Sequence, residues 1–311
     1  MTGTVTIHIG LHKTGTTTLQ NRVFPACPEL NFLCTDNDGF LPFYRYAAYS
    51  DPIYFEPQKA HALLAGMLRT DKPNLLSNEG FSGPLHSGDL EYGLDHRDAV
   101  LRNLAAAFPD ARVILTLRRQ DGLARSLYRQ YLRSGGTRGV ERYYGFAANT
   151  PHQPLFNRDR FRYLPYVRRV EELFPQGLLL LAYEELVRDP DAYLGKLSAF
   201  LGTTLPPLPK RKDNATRLGP FGLGVTRVLN HFFRSYLNPA GLVPGVPRLK
   251  NGKFSLVSPV TLLHEYWPFG YKGGKTGKTG VLAARILEEC REDNRALDER
   301  YALNLKEYGY Y

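Results

Sequence analysis

Tryptophan occurs once, methionine twice and cysteine three times in this chain of 311 residues. The cysteines, Cys27, Cys34 and Cys290, are odd in number and form no C-x-x-C pair. That excludes a disulfide framework and the common structural zinc patterns, and no metal site is expected. No apolar run approaches the roughly 18 residues of a membrane span. A first strand pattern beginning by Val5 leaves no room for a signal peptide, so the expectation is a soluble, cytoplasmic protein. Internal repeats, low-complexity tails and sharp linkers are missing. Residues 1–311 therefore read as a single domain, with an irregular Gly/Pro-rich insertion around 203–280. Acid is scarce too: Asp plus Glu number 30 against 40 Lys plus Arg, a formal net charge of +10. Such an excess suits an anionic ligand, an anionic acceptor or nucleic acid.

Against those absences stands one dense stretch, Val5-Thr-Ile-His-Ile-Gly10-Leu-His-Lys13-Thr-Gly15-Thr16-Thr17-Thr18. The β-branched run Val5 to Ile9 predicts a buried strand, Gly10 to Gly15 a turn, and Thr16 to Phe24 a helix ended by Pro25. A strand–turn–helix of this kind aims backbone N–H groups at one point and cradles an anion, phosphate above all. The spacing is nearly that of a nucleotide-binding P-loop, G-x-x-x-x-G-K-[ST]. Gly10 and Gly15 fill the glycine positions, but Thr16 stands in the lysine slot and the lysine is Lys13, inside the turn.

Strand patterns recur at 74–77, 112–117 and 178–183, and helical patterns at 59–69, 98–108, 121–132, 161–173, 190–201, 224–237 and 281–302. Alternation of this sort predicts an α/β fold, a three-layer P-loop-like parallel sheet with helices on both faces. Residues 31–72 are rich in Phe and Tyr, expected mainly in the core. Residues 134–160 read as a loop. Glu79 follows the second strand and Arg118 the third, at the carboxyl ends where open α/β sheets bind ligands. Eight residues beyond Arg118, in the second turn of the next helix, comes Ser126; a forked cation and a hydroxyl there suit phosphate oxygens.

The K-T-G-T-T turn together with Arg118 and Ser126 resembles the sulfotransferases that use PAPS, 3′-phosphoadenosine 5′-phosphosulfate, closer to the glycan and bacterial type. The resemblance implies that Lys13, Thr14, Gly15, Thr16, Thr17 and Thr18 hold the 5′-phosphosulfate and that Arg118 and Ser126 hold the 3′-phosphate. The stretch from Leu178 to Leu186, ending Ala-Tyr-Glu-Glu-Leu before Asp189-Pro190, is similar to an architectural segment of that family. Lys272, Gly273 and Gly274 are similar to its Gly-rich loop over the adenosine end. The reaction implied is in-line transfer of a sulfonate from PAPS to an acceptor hydroxyl, with PAP released and no metal required.

Lys13 would then offset charge on the leaving oxygen. Candidates for the base are Glu79, His12 and His86; a partly desolvated Glu79 is expected to have its pKa raised toward neutrality. The acceptor reads as a small molecule or glycan hydroxyl, more a carbohydrate than a phenol. Arg158, Arg160, Arg162, Arg168 and Arg169 form a basic group that either steers an anionic glycan or is a solvated helix face. Two other readings stay open: a P-loop kinase using ATP and Mg²⁺, and a basic nucleic-acid-binding protein. The kinase lacks its lysine after the second glycine. For the other no nucleic-acid motif appears, so no nucleic-acid partner is expected. The sequence sets no oligomeric state.

Overall fold

The computed structural model describes residues 3–37, 39–83, 96–147, 155–209, 219–235, 237–250, 253–257 and 277–311. Its centre is a parallel sheet of five strands, β1 (Val5–Ile9), β2 (Asn31–Leu33), β3 (Asn74–Asn78), β4 (Arg112–Leu117) and β5 (Leu178–Ala182), in the order β2-β3-β1-β4-β5. β1 thus lies between β3 and β4, with Ile9 opposite Asn78 on one side and Leu115 on the other. The chain leaves β1 toward one edge and later returns to the other side. That makes the end of β1 the topological switch point, where a ligand crevice opens in a sheet of this type.

Period-two alternation sorts the strand side chains onto two faces. Val5, Ile7 and Ile9 join Leu76, Val113 and Leu115 in the larger core. Over that face lie α1 (Phe40–Tyr49), α2 (Arg97–Ala107), α3 (Gln120–Arg133) and α4 (Tyr163–Leu173). The opposite face, with Leu75, Ile114 and Leu181, is covered by the helical stretch 16–26 and by α5 (Pro190–Leu201). α5 is well delimited: the Asp189 carboxylate accepts from Ala192 N–H, Pro190 opens the first turn, and Gly202 closes it at φ 71°. The sheet covered on both faces is the three-layer α/β arrangement expected from the sequence.

His8 sits fully buried on the smaller face, its Nδ1 2.7 Å from Ser77 Oγ and its ring edge-on to Phe24. Burial, only partly countered by Glu79, lowers its pKa to about 4, so the ring is neutral near pH 7.

Departures from the sequence expectation have local causes. Residues 31–72 contain β2 and α1, where crowding by Phe and Tyr hid the helical period. Phe40 and Phe43 are in the core, whereas Tyr49 and Tyr54 are 73% and 78% exposed. The predicted 59–69 helix is observed at Pro57–Leu63. The helix after the first turn is α-helical only over Thr16–Thr18, widens to i+5 bonding over Leu19–Val23 and tightens over Phe24–Ala26. The loop 134–160 includes a short helix at Val140–Tyr143. Within 203–280 lie α6 (Pro220–Asn230) and a hairpin of β6 (Val246–Lys250) and β7 (Lys253–Val257). The last expected helix is two, α7 (Lys278–Glu289) and α8 (Arg291–Tyr301), divided at Cys290. Among the described residues, no helix is long and apolar enough to cross a membrane.

Candidate active site

Three adjacent carboxyl ends bring the chemistry together: the turn after β1, Glu79 after β3 and Arg118 after β4. The turn reverses direction through two left-handed residues, Lys13 at φ 68° and Gly15 at φ 85°. For a lysine that conformation costs on the order of 1–3 kcal/mol and persists only where neighbours impose it. Here the Arg118 guanidinium donates to the Lys13 carbonyl at 2.5 Å. Thr14 Oγ1 donates back to Leu11 O at 2.6 Å.

The glycines are there for room. A Cβ on Gly10 would come within 2.6 Å of Thr16 Cγ2, and one on Gly15 within 2.8 Å of Leu186 Cδ2. The first helical bonds run from Thr18 and Leu19 N–H to Gly15 O. Earlier N–H groups of the first turn have no intrahelical acceptor, as at any helix start. Thr14 and Thr16 are buried, with their hydroxyl oxygens 3.3 Å apart, whereas Thr17 is exposed. The Thr16 hydroxyl therefore braces the turn from below, and Thr17 is the threonine open to solvent.

α3 runs along this turn. Gly122 faces the Arg118 guanidinium, whose Nε would lie 3.6 Å from a Cβ there. Two turns on, Gln130 Oε1 accepts from Lys13 Nζ at 3.0 Å. Ser126, half-buried, stands midway on the same face, since residues four apart on a helix are stacked neighbours. Arg118 is backed by the Tyr183 ring, 4.5 Å from its guanidinium carbon, and Tyr163 Oη donates to its carbonyl at 2.6 Å. Tyr183 and Leu186 also pack beneath Gly15, so one short helix, Tyr183–Arg188, supports both arms of the site. Glu184 accepts from Arg119 N–H and from Tyr310 Oη, an architectural role. Arg119 itself is committed to Asp121 and to Tyr308 O.

Glu79 opens a tight turn, and its Oε2 lies 3.2 Å from His12 Nδ1. On its far side His12 Nε2 lies 3.1 Å from Gly83 O, a contact that only an N–H can make.

Desolvation pushes the Glu79 pKa up, but the His12 hydrogen bond and charge, with Lys13 and His8, outweigh it and leave the carboxyl below its usual value. This corrects the expectation of a raised pKa: the carboxyl is buried, but pairing with His12 and Lys13 outweighs the burial. Lys13 is depressed from its usual value, by burial first and then by Arg133 and Arg118, against the pull of Glu79. Lys13, Arg118 and Arg133 thus form a positive cluster that an anion would relieve.

Lys272, Gly273, Gly274 and His86 lie outside the described residues. Of the arginine group, Arg160 is buried and donates to Ser82 O, Arg158 pairs with Glu289, and Arg169 with Asp98. Those three are tied into the fold. Gln130 was not found from the sequence; its signal was its place one turn after Ser126. Tyr183 reads from the sequence only as part of an architectural segment, and nothing in the sequence puts its ring under Arg118.

Residues 98–207 match the model of the Sulfotransferase family, a stretch of roughly a third of the chain that takes in Arg118, Ser126 and Tyr183 but not the Lys13 turn. The sulfotransferase resemblance read from the sequence therefore stands, carried by that segment. Among solved structures, the chain is similar to a sulfotransferase from Alicyclobacillus acidocaldarius, with 17% identity, 74% of this chain and 93% of that chain covered, and a TM-score of 0.47. It is also similar to mouse sulfotransferase SULT7A1 complexed with PAP, with 14% identity, 96% and 89% covered, and a TM-score of 0.41. The sulfotransferase domain from the curacin biosynthetic pathway follows, with 13% identity, 92% and 98% covered, and a TM-score of 0.39. No curated protein matches the chain.

Proposed function

We propose that the chain is a PAPS-dependent sulfotransferase acting on a hydroxyl of a carbohydrate acceptor, and that residues 1–311 form one domain for this purpose. The observation that carries the reading is the bond from Arg118 to the Lys13 carbonyl, which makes the two anion-binding arms a single surface. One doubly phosphorylated nucleotide fits such a surface better than two separate anions. The crowded cations Lys13, Arg118 and Arg133 suit a polyanion on electrostatic grounds.

When bound, PAPS supplies the sulfonate and departs as PAP. The turn from Thr14 to Thr18 holds the 5′ end, Thr17 with its hydroxyl; Arg118 and Ser126 hold the 3′-phosphate. Lys13 places its ammonium where negative charge grows on the leaving oxygen. Glu79, anionic at neutral pH, accepts the acceptor's proton, and His12 orients that carboxylate and stabilises its charge. A base of low pKa is a modest one, so positioning supplies much of the acceleration.

The kinase reading has less support, because the cation at the end of β4 is Arg118 where a metal-holding acid would be needed. Thermal melts with PAP alone and with ATP plus Mg²⁺ separate the two, since only a bound ligand raises the midpoint. A shift with PAP in chelator, followed by transfer of label from PAPS to a glycan in a panel of glycans, phenols and lipids, is the expected result. Stabilisation by ATP with Mg²⁺ and none by PAP would overturn it.

A further inference from the structure

α3 presents a second face beside the one that meets the Lys13 turn. Arg125, Tyr128 and Arg129 look from it into a cavity bounded by α6, the 140–143 helix and the first turn of α7. Arg227 of α6 and Lys278 of α7 line the same space, with Leu132 and Leu223 on its apolar wall. Glu141 is the only carboxylate among the described lining residues, 3.7 Å from the Lys278 ammonium. Four cations around a partly apolar hollow are not the arrangement of a merely solvated basic face, which is convex and dispersed.

Two of the guanidiniums are held in place. Arg125 donates to Asp121 at 2.7 Å, and Arg227 lies against the backbone at Gly139 and hydrogen-bonds Tyr128. A guanidinium has five N–H donors, so one carboxylate contact does not exhaust those of Arg125. The donor's phosphates are accounted for on the other face, by Lys13, Arg118 and Ser126. Arg129 and Gln130 are consecutive on α3, and Gln130 Oε1 accepts from Lys13 Nζ, so the same turn of that helix serves the cavity on one face and the Lys13 turn on the other.

We propose that this cavity receives the anionic part of the acceptor, a carboxylate or sulfate ester on a glycan, while a neighbouring hydroxyl of the same molecule meets Glu79. The inference rests on the sulfotransferase reading and sharpens its substrate class: an acidic glycan in place of a neutral one. Arg129 and Arg227 recognise the anion, Tyr128 and Leu223 pack against the sugar body, and Lys278 adds long-range attraction that salt weakens.

The test uses the whole chain with two probes, a sulfated uronic-acid-containing tetrasaccharide from heparin and neutral N-acetylchitotetraose. Variants are Arg129→Ala, Arg227→Ala and Lys278→Glu; the last is largely exposed and leaves packing alone should the arginine variants fold poorly. Each should lower kcat/KM for the acidic probe by about tenfold or more, equivalent to 1.4 kcal/mol. Transfer to the neutral probe and the PAP-induced melting shift should not change. Loss of the PAP shift would assign the cavity to the donor and overturn the proposal, as would equal loss on both probes or no loss at all. If the unaltered protein transfers sulfonate to neither probe, the reading of function is what has failed, and calorimetry with the acidic tetrasaccharide still decides the cavity. Binding weakened by the three substitutions upholds it; no binding to the unaltered protein overturns it.

Discussion

The guanidinium of Arg118 bonds to the backbone carbonyl of Lys13, joining residues 105 apart in the chain, with the Tyr183 ring behind it. Arg118 thereby fixes the left-handed turn that carries the lysine, and in the proposed reading it also offers charge to the donor. Replacing Tyr183 by Leu removes the cation–π contact, worth about 0.5–2 kcal/mol, and should weaken PAP binding by roughly 2- to 30-fold. Arg118→Ala should weaken it further, because the turn loosens as well. Calorimetry with PAP reads both.

Lys13→Ala should leave a folded protein, since the Cβ of alanine bears the same left-handed cost that lysine already does, yet should abolish transfer. A fall in kcat of about 10³-fold or more is expected, with a smaller change in donor KM, because the ammonium acts chiefly as charge develops. Single-turnover assays with labelled PAPS distinguish the two effects.

Glu79→Gln should retain PAP binding while turnover falls by about 10²–10⁴-fold. The lowered pKa of Glu79 places the acid limb of the kcat/KM profile below the ordinary carboxylate value, activity being present above it and lost as pH falls through it. His12→Asn removes the chief cause of lowering and leaves desolvation unopposed by that ring. Its acid limb should move to higher pH, and an unmoved limb would dissociate His12 from the base.

His8 makes stability depend on pH by a different route. Its pKa is 6.5 in the unfolded chain and about 4 in the fold, so the unfolded state binds the proton more readily. Stability is full above pH 6.5 and falls as pH drops toward 4, by about 3 kcal/mol at most. Denaturant melts across that window should show the slope, and His8→Asn should flatten it.

Much of this was legible in the residues because short-range rules govern it. The turn between Gly10 and Gly15 and the strand at 112–117 announce themselves by β-branched runs ending in Gly or charge, and the strand at 74–77 by its leucines between Pro73 and Asn78-Glu79-Gly80. Glu79 and Arg118 could be put at strand ends because the pattern of apolar residues stops there. What the sequence withheld was set by partners distant in the chain. The proton balance of Glu79 depends on His12, 67 residues away, and the posture of Lys13 on Gln130, 117 residues away. The helix Phe40–Tyr49 was hidden by composition, since rings on every side blur a 3.6-residue period. The break at Cys290 likewise follows from α7 packing on α3 while α8 packs on α4, a division that no local residue type signals.

The place of β1 between β3 and β4 has a consequence for how the protein comes into being. The strand that carries the turn is made before both of its pairing partners, which emerge only by residues 78 and 117. Until then five apolar-rich residues wait unpaired, an exposure typical of parallel sheets, whose assembly is slow and open to aggregation. Capture of a nucleotide would accordingly report on the completion of the whole sheet, and refolding followed by that signal should lag behind the recovery of helix.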